Sequence, residues 1–130
     1  MEPAALRALG VLNLAHVGDG VYELLVRAHL AARGGVKVGD QHRQTIAYVS
    51  AAAQAEAAEL LLPVLTEEEH AVYRRGRNAR VHGTPAGCTV AQYHAATGLE
   101  ALFGWLWLAG QEERVRELFD LILRGKDHAT

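Results

Sequence analysis

The sequence predicts an all-α domain built from about five main helices. Half of the 130 residues are hydrophobic but only 6% are aromatic, so the core must consist mainly of alanine, leucine and valine. Such a composition favours helices over strands. Apolar residues also recur at helical spacing along most of the chain, and no segment shows the alternation of a half-buried strand. This length fits one domain with a continuous core.

The first two predicted helices are long and have recognisable ends. The first covers residues 9–33 and ends at the glycine pair 34–35, because glycine readily adopts the left-handed conformation that follows a helix. The second runs from about residue 40 to residue 62, with Asp40 as its N-cap and Pro63 as its stop. Its alanine-rich middle would allow a neighbouring helix to approach closely.

The third predicted helix begins at a capping box and is followed by a loop. Thr66 precedes Glu69 by three residues, so each side chain can bond a free backbone amide of the other residue. This helix extends to about Ala79, and residues 82–87 have the composition of an exposed loop. The fourth and fifth helices are predicted at about residues 89–109 and 111–125.

Cysteine, histidine and hydropathy patterns exclude several classes of protein. Cys88 is the only cysteine, so the chain can form neither an internal disulfide nor a thiolate metal site of its own. The histidines include no pair at zinc-ligand spacing. Glu2 and Pro3 stand where a basic leader would begin, and no apolar run approaches the roughly 20 residues that span a bilayer. We therefore expect a soluble, cytoplasmic protein with no membrane partner.

Positive charge is concentrated in one segment, although the net charge of the chain is −2. No acid occurs between Glu69 and Glu100, and that stretch contains Arg74, Arg75, Arg77, Arg80, His70, His82 and His94. A local excess of arginine indicates a surface that faces a polyanion. The alternative is a solvated helix end, because cations favour the last turn of a helix.

Two acids lie inside apolar helical segments beside glycines. Asp19 stands between Gly18 and Gly20, and Glu100 lies between Gly98 and Gly104. A glycine within a helix costs on the order of 1 kcal/mol relative to alanine. That cost is easier to understand if another backbone or a ligand approaches at these positions.

The two acids favour a magnesium site. Carboxylates from different helices repel each other unless a cation lies between them, and Mg²⁺ needs only one or two protein carboxylates together with waters and phosphate oxygens. Glu23 shares a helix face with Asp19 and is a further candidate ligand. The alternative is structural, with Asp19 or Glu100 paired to an arginine such as Arg77.

Several segments resemble one known family. Residues 14–23, with the Gly18-Asp19 pair, resemble the signature segment of the ribonuclease III fold, and residues 99–104 resemble its second acidic helix. Further segments resemble the Mini-ribonuclease III branch of that family and occur in the same order. They are His42, residues 49–51, Gln54-Ala55, residues 66–69, residues 75–79 and residues 111–114. Together these motifs cover nearly the whole chain and are specific.

The resemblance implies a single catalytic domain over residues 1–130, without the double-stranded RNA-binding domain of full-length ribonuclease III. It implies a homodimer with one cutting site per subunit, where Asp19 and Glu100 hold magnesium. The implied reaction cuts double-stranded RNA to 5′-phosphate and 3′-hydroxyl ends during maturation of the large-subunit (23S) ribosomal RNA precursor. A ribosomal protein on that substrate is a further candidate partner. RNA contacts would come from Arg74, Arg75, Arg77, Asn78, Arg80 and His82.

The chain departs from the wider family at two acidic positions. Ala15 stands four residues before Asp19, where ribonuclease III has a glutamate, and Thr97 stands three residues before Glu100, where it has an aspartate. The Mini branch shares this loss, which predicts weaker metal binding with more water around the ion. It also leaves two alternatives, a non-catalytic RNA-binding protein on the same fold and a helical dimerisation module without an RNA role.

Overall fold

The computed structural model describes residues 1–34, 37–80 and 83–128, with side chains as far as residue 126. Within these ranges the chain is all-α, as predicted, and contains no strand. A 3-10 turn at Leu62–Val64 precedes the fifth helix. None of the described helices has the length and apolar character needed to cross a membrane. The helices are α1 (Pro3–Ala8), α2 (Val11–Arg33), α3 (Val38–Val49), α4 (Ala51–Leu61), α5 (Glu67–Arg77), α6 (Val90–Leu108) and α7 (Glu112–His128).

The first predicted helix corresponds to α2, and the short helix α1 before it was not predicted. The second predicted helix is divided into α3 and α4. Gly10 is extended (φ −65°, ψ 147°) and separates α1 from α2. Ser50 is likewise extended (φ −60°, ψ 155°), and its hydroxyl accepts a hydrogen bond from the Ala53 amide at 3.2 Å. That bond satisfies a free amide at the start of α4, so the serine ends one helix and begins the next.

The predicted caps have different outcomes. Asp40 as an N-cap was wrong, because α3 begins two residues earlier at Val38 and Asp40 instead pairs with Arg43 within the first turns. The capping box at Thr66 is confirmed: the Glu69 amide donates to the Thr66 hydroxyl at 3.1 Å, and the Thr66 amide donates to the Glu69 carboxylate at 2.9 Å.

Helix α6 is the centre of the core, with α2, α4, α5 and α7 packed around it. Its Leu99, Leu102, Phe103 and Leu106 are fully buried. The ring of Tyr22 from α2 packs edge-on against Phe103, with 5.3 Å between ring centroids. The two acids selected from the sequence are therefore carried by the central helix and its main neighbour.

Helices α2 and α6 cross at two glycines. A Cβ on Gly18 would overlap the carbonyl oxygen of Glu100, and a Cβ on Gly104 would overlap that of Leu14. The expectation of a close backbone approach is confirmed at these positions, whereas a Cβ on Gly20 would meet no atom of the single chain within 4 Å. The crossing fixes the segment around Asp19 against the segment around Glu100.

A buried ion pair connects α5 to α7. Glu69 is only 3% exposed, and Arg114 donates to its two carboxylate oxygens at 2.8 Å each. The same guanidinium donates to the Val64 carbonyl at 3.0 Å. Hydrogen bonds from Arg114 lower the pKa of Glu69. The ion pair therefore holds α5, the helix that carries the arginine cluster, against α7.

We expect Arg114→Leu to lower the free energy of unfolding by about 3–5 kcal/mol at pH 7, because it leaves a charged carboxylate buried without its partner. Urea unfolding measures the loss, and the exposed Arg124→Leu on the same helix is the control. A carboxylate whose folded pKa is lowered stabilises the fold above its unfolded pKa of about 4.3, and this contribution is lost as pH falls through the folded pKa. The difference between parent and variant should therefore shrink in acid; equal losses in both variants would contradict this role.

Candidate active site

The crossing of α2 and α6 brings Asp19 and Glu100 together. Asp19 is exposed and Glu100 is half-buried. The two backbones meet beside the acids, since a Cβ on Gly18 would overlap the Glu100 carbonyl oxygen, and the charge of Asp19 contributes to a raised pKa at the Glu100 carboxyl. The two acids, which lie 81 positions apart in the sequence, thus share one site at the edge of the core.

Burial and the neighbouring acid together raise the pKa of Glu100 to about 8, with burial as the larger cause. Two carboxylates in contact disfavour a second negative charge. At neutral pH, Glu100 therefore mostly retains its proton when no cation is bound. A divalent cation between the two groups would favour the charged form of both.

The donor set fits a magnesium ion that keeps several waters. Among the side chains that the structure describes, neither Asp19 nor Glu100 forms an ion pair with lysine or arginine. The same part of the chain has no group of three acidic, histidine or cysteine side chains placed to hold a metal. Two carboxylates satisfy the needs of magnesium but not those of a closed, all-protein site.

The structural alternative for the two acids was wrong. Arg77 lies over the ring of Tyr73, 5.8 Å from its centroid, and its Nε donates to the Asn78 side chain at 3.4 Å. It pairs with neither carboxylate. The acids are therefore free of the arginine that could have neutralised them.

The remaining candidates near the acids are engaged elsewhere. Glu23 forms an ion pair with Arg27 at 3.3 Å, one turn further along α2. The hydroxyl of Thr97 is buried and donates to the Tyr93 carbonyl at 3.0 Å. Ala15 is buried as well. Ala15 and Thr97 stand where the wider family has two additional acids. Neither offers the site a side-chain oxygen that is free of other bonds.

Gln54 appeared in the sequence only as part of the Gln54-Ala55 segment that resembles the Mini-ribonuclease III branch, and no role beside the two acids was assigned to it. It lies on α4, is 2% exposed and borders Glu100, where its side-chain amide offsets a small part of the rise in the pKa. Its Nε2 has no hydrogen-bond partner of good geometry among the described residues. The available signal was one amide in an alanine-rich helix, but such a residue could equally have faced solvent.

The arginine cluster lies at the exposed end of α5. A Cβ on Gly76 would lie 2.9 Å from the Thr97 carbonyl, so this end of α5 crosses α6 about one turn before Glu100. Arg75 lines a different groove, beside Arg7 and Trp105. The predicted contact His82 lies outside the described residues. The other predicted contacts, Arg74, Arg77, Asn78 and Arg80, are all exposed.

An exposed apolar face lies next to Asp19 on α2. Leu24 is 62% exposed and Trp107 is 38% exposed. They line one groove together with Val17, Gly20 and Leu25. Large apolar side chains gathered on a surface in this way are typical of a contact with another molecule.

The chain is similar to proteins of one family along nearly its whole length. Residues 12–111 match the Ribonuclease III domain family. The chain is 50% identical to Mini-ribonuclease 3 of Symbiobacterium thermophilum over 119 residues, which cover 88% of this chain and 92% of that protein. It is 42% identical to Mini-ribonuclease 3 of Enterococcus faecalis over 120 residues, which cover 91% of each.

The fold has a counterpart of known structure. The crystal structure of protein FN1578 from Fusobacterium nucleatum superposes with a TM-score of 0.85 at 28% sequence identity, over 92% of this chain and 96% of that one. The family that the motifs indicated is thus confirmed by sequence similarity, and its fold by structural similarity. The chain belongs to the Mini-ribonuclease 3 branch of the ribonuclease III family.

Proposed function

We propose that this chain is a magnesium-dependent endoribonuclease that cuts double-stranded RNA at the Asp19–Glu100 pair. Family membership makes the chain an endoribonuclease. The observation that carries the finer proposal is the pair itself, two carboxyls from different helices that the crossing of α2 and α6 brings together at an accessible edge. Burial and mutual repulsion disfavour two negative charges at this position, and a bound divalent cation would offset both effects.

Each acid has a distinct part in the proposed site. Asp19 is exposed and would meet the ion and the RNA phosphate first, whereas the half-buried Glu100 would anchor the ion from the side of the core. When bound, magnesium supplies an activated water and stabilises charge on the phosphate. The expected products carry 5′-phosphate and 3′-hydroxyl ends. Glu23 would have to leave Arg27 before it could contribute.

The end of α5 is the proposed RNA contact. An A-form duplex is recognised by its shape, phosphates and 2′-hydroxyls. The exposed arginines flank Gly76, whose backbone meets α6 about one turn before Glu100, and they would contact phosphates beside the cut. We propose Arg74, Arg75, Arg77, Asn78, Arg80 and His82 for this role.

Within this substrate class we propose the precursor of large-subunit (23S) ribosomal RNA, with a ribosomal protein on that RNA as a partner. Membership of the Mini-ribonuclease 3 branch supports this choice. The precursor should be cut within a duplex region, since the proposed contacts recognise duplex shape rather than base edges.

The first test incubates the purified protein with a long RNA duplex, in magnesium or in chelator, at low and moderate salt. We expect cutting only with magnesium, and a steep fall in duplex affinity as salt rises, because phosphate contacts release counterions. Duplex binding without cutting would favour the non-catalytic RNA-binding alternative. Absence of both would favour the helical dimerisation module.

We further propose that the chain works as a homodimer through the apolar face of α2. The face combines Leu24 and Trp107 with the small residue Gly20, and a second copy would cover it in a self-complementary contact. Two residues of the face, Val17 and Gly20, lie on either side of Asp19 in the sequence. Two active sites would then lie close to the interface, one on each subunit.

We expect Leu24→Glu to convert the dimer to a monomer, because each subunit would bury a carboxylate in an apolar contact. Sedimentation equilibrium measures the mass. Val38→Glu is the matched control, since Val38 is 82% exposed and lies on α3, away from this face. A dimer in Leu24→Glu with the affinity of the parent would exclude this face as the interface.

A further inference from the structure

Gln54 is a buried polar side chain in an otherwise apolar contact. It lies on α4 one turn before Ala57 and Ala58, which are 3% and 2% exposed. This helix packs along α6, the helix that carries Glu100. At 2% exposure, the Gln54 amide cannot exchange a protein partner for solvent.

The Nε2 atom of Gln54 lacks such a partner among the described residues. A buried amide that donates no hydrogen bond is costly, so its retention indicates an acceptor close by. The Glu100 carboxyl on α6 lies close enough for the Gln54 side chain to offset part of the rise in its pKa, although no hydrogen bond of good geometry joins the two groups. A small rotation of either side chain would complete the bond.

The helix break at Ser50 gives Gln54 its position. The Ser50 hydroxyl caps α4, and the backbone N–H of Gln54 donates to the Ser50 carbonyl at 2.9 Å in the first turn. Gln54 is therefore near a fixed helix start, where the direction of α4 is set. Glu100 therefore has Asp19 of α2 and the side-chain amide of Gln54 of α4 as polar neighbours.

We propose that Gln54 is a positioning residue, whose side-chain amide donates to the Glu100 carboxylate and holds it in the orientation that shares a divalent cation with Asp19. This inference rests on the proposed function. Donation of a hydrogen bond to a charged carboxylate favours the charged form. Partners that orient metal-binding side chains in this way contribute substantially to metal affinity.

The test compares the parent with Gln54→Met, which keeps the length of the side chain and removes the donor. Calorimetric titration with magnesium chloride, in the absence of RNA, should show affinity about tenfold weaker, the lower end of the range for outer partners of metal ligands. The magnesium concentration for half-maximal cutting of an RNA duplex should rise by a similar factor. The KM for RNA and the rate at saturating magnesium should change little.

Two further variants make the result specific. Thr45→Val is the matched control, because Thr45 is also buried, at 4% exposure, but its hydroxyl donates to the Gln41 carbonyl. It should leave the magnesium response of the parent unchanged. Gln54→Asn retains an amide that is one methylene too short, and it should weaken magnesium binding in the same direction but less. This variant keeps the test decisive if Gln54→Met does not fold.

Equal magnesium affinity in the parent, Gln54→Met and Gln54→Asn would overturn the proposal and leave Gln54 as a core residue. If Thr45→Val lost as much magnesium affinity as Gln54→Met, the proposal would also be overturned, since general destabilisation would then explain both losses. Failure of the proposed function has a different signature. The parent itself would then bind no magnesium, or would bind it without cutting duplex RNA.

Discussion

Asp19→Asn and Glu100→Gln are each expected to lower the rate of duplex RNA cleavage by roughly 100-fold or more, which corresponds to about 2.7 kcal/mol of barrier. Each change keeps the shape of the side chain and replaces an anionic oxygen with a neutral amide, a much weaker ligand for magnesium. Single-turnover cleavage of an RNA duplex at saturating protein and magnesium measures the effect. Duplex affinity should change far less, because the arginines are intact.

The control for this pair is Asp120→Asn, an exposed acid on α7 outside the proposed site. It should cut at the rate of the parent. Cutting at the parent rate by both site variants, with an unchanged magnesium requirement, would remove these acids from the mechanism. Loss of cutting in Asp120→Asn would show that general damage, rather than loss of a ligand, explains the result.

Glu100→Gln should also separate activity from stability. A carboxyl whose folded pKa is raised to about 8 binds its proton more tightly in the folded chain than in the unfolded one. The unfolded chain therefore binds fewer protons between pH about 4.3 and 8, and the stability of the parent falls as pH rises through that window. The inactive variant should be more stable than the parent at pH 9 in chelator, with a smaller difference at pH 5.

The acids could be predicted from the sequence because their environment was unusual. Asp19 and Glu100 were polar residues in apolar helical segments, and the cost of the adjoining glycines indicated a close approach. The structure shows that approach at Gly18 and Gly104 but open space at Gly20. A glycine's cost to a helix is the same in both cases, so only the packing of α2 on α6 distinguishes them.

The helix break at Ser50 and the buried position of Gln54 could not be predicted in the same way. Apolar spacing continues through Ser50, and the hydroxyl that caps α4 competes with the helix only through local geometry. Gln54 has no neighbour of unusual type in the sequence. Its importance depends on the side of α4 that meets α6, which follows from the turn at Ser50. The arginine cluster could be recognised from its charge. The sequence did not indicate that Arg75 lines a separate groove beside Arg7 and Trp105.

Gly18→Ala is expected to destabilise the whole fold. Its Cβ would overlap the Glu100 carbonyl oxygen, and neither the side chain nor the acceptor can rotate away, because both atoms are fixed by helical backbone. Helices α2 and α6 would have to separate and expose core residues such as Leu14 and Leu99. Overpacking typically costs about 1–3 kcal/mol and more when backbone must move, out of a total of about 5–15 kcal/mol. Urea and thermal unfolding measure the loss, and Gly104→Ala should reproduce it.

The strength of this prediction comes from its matched control on the same helix. Gly20→Ala adds the same methyl group two residues further along, where nothing lies within 4 Å in the single chain. It should be neutral or should stabilise by about 0.4–1 kcal/mol, because alanine restricts the unfolded chain. Since Gly20 also lines the proposed dimer face, Gly39→Ala in α3, equally unobstructed, is a second control. Similar stability in Gly18→Ala and Gly20→Ala would mean that the crossing of α2 and α6, and with it the approach of Asp19 to Glu100, differs from the one described here.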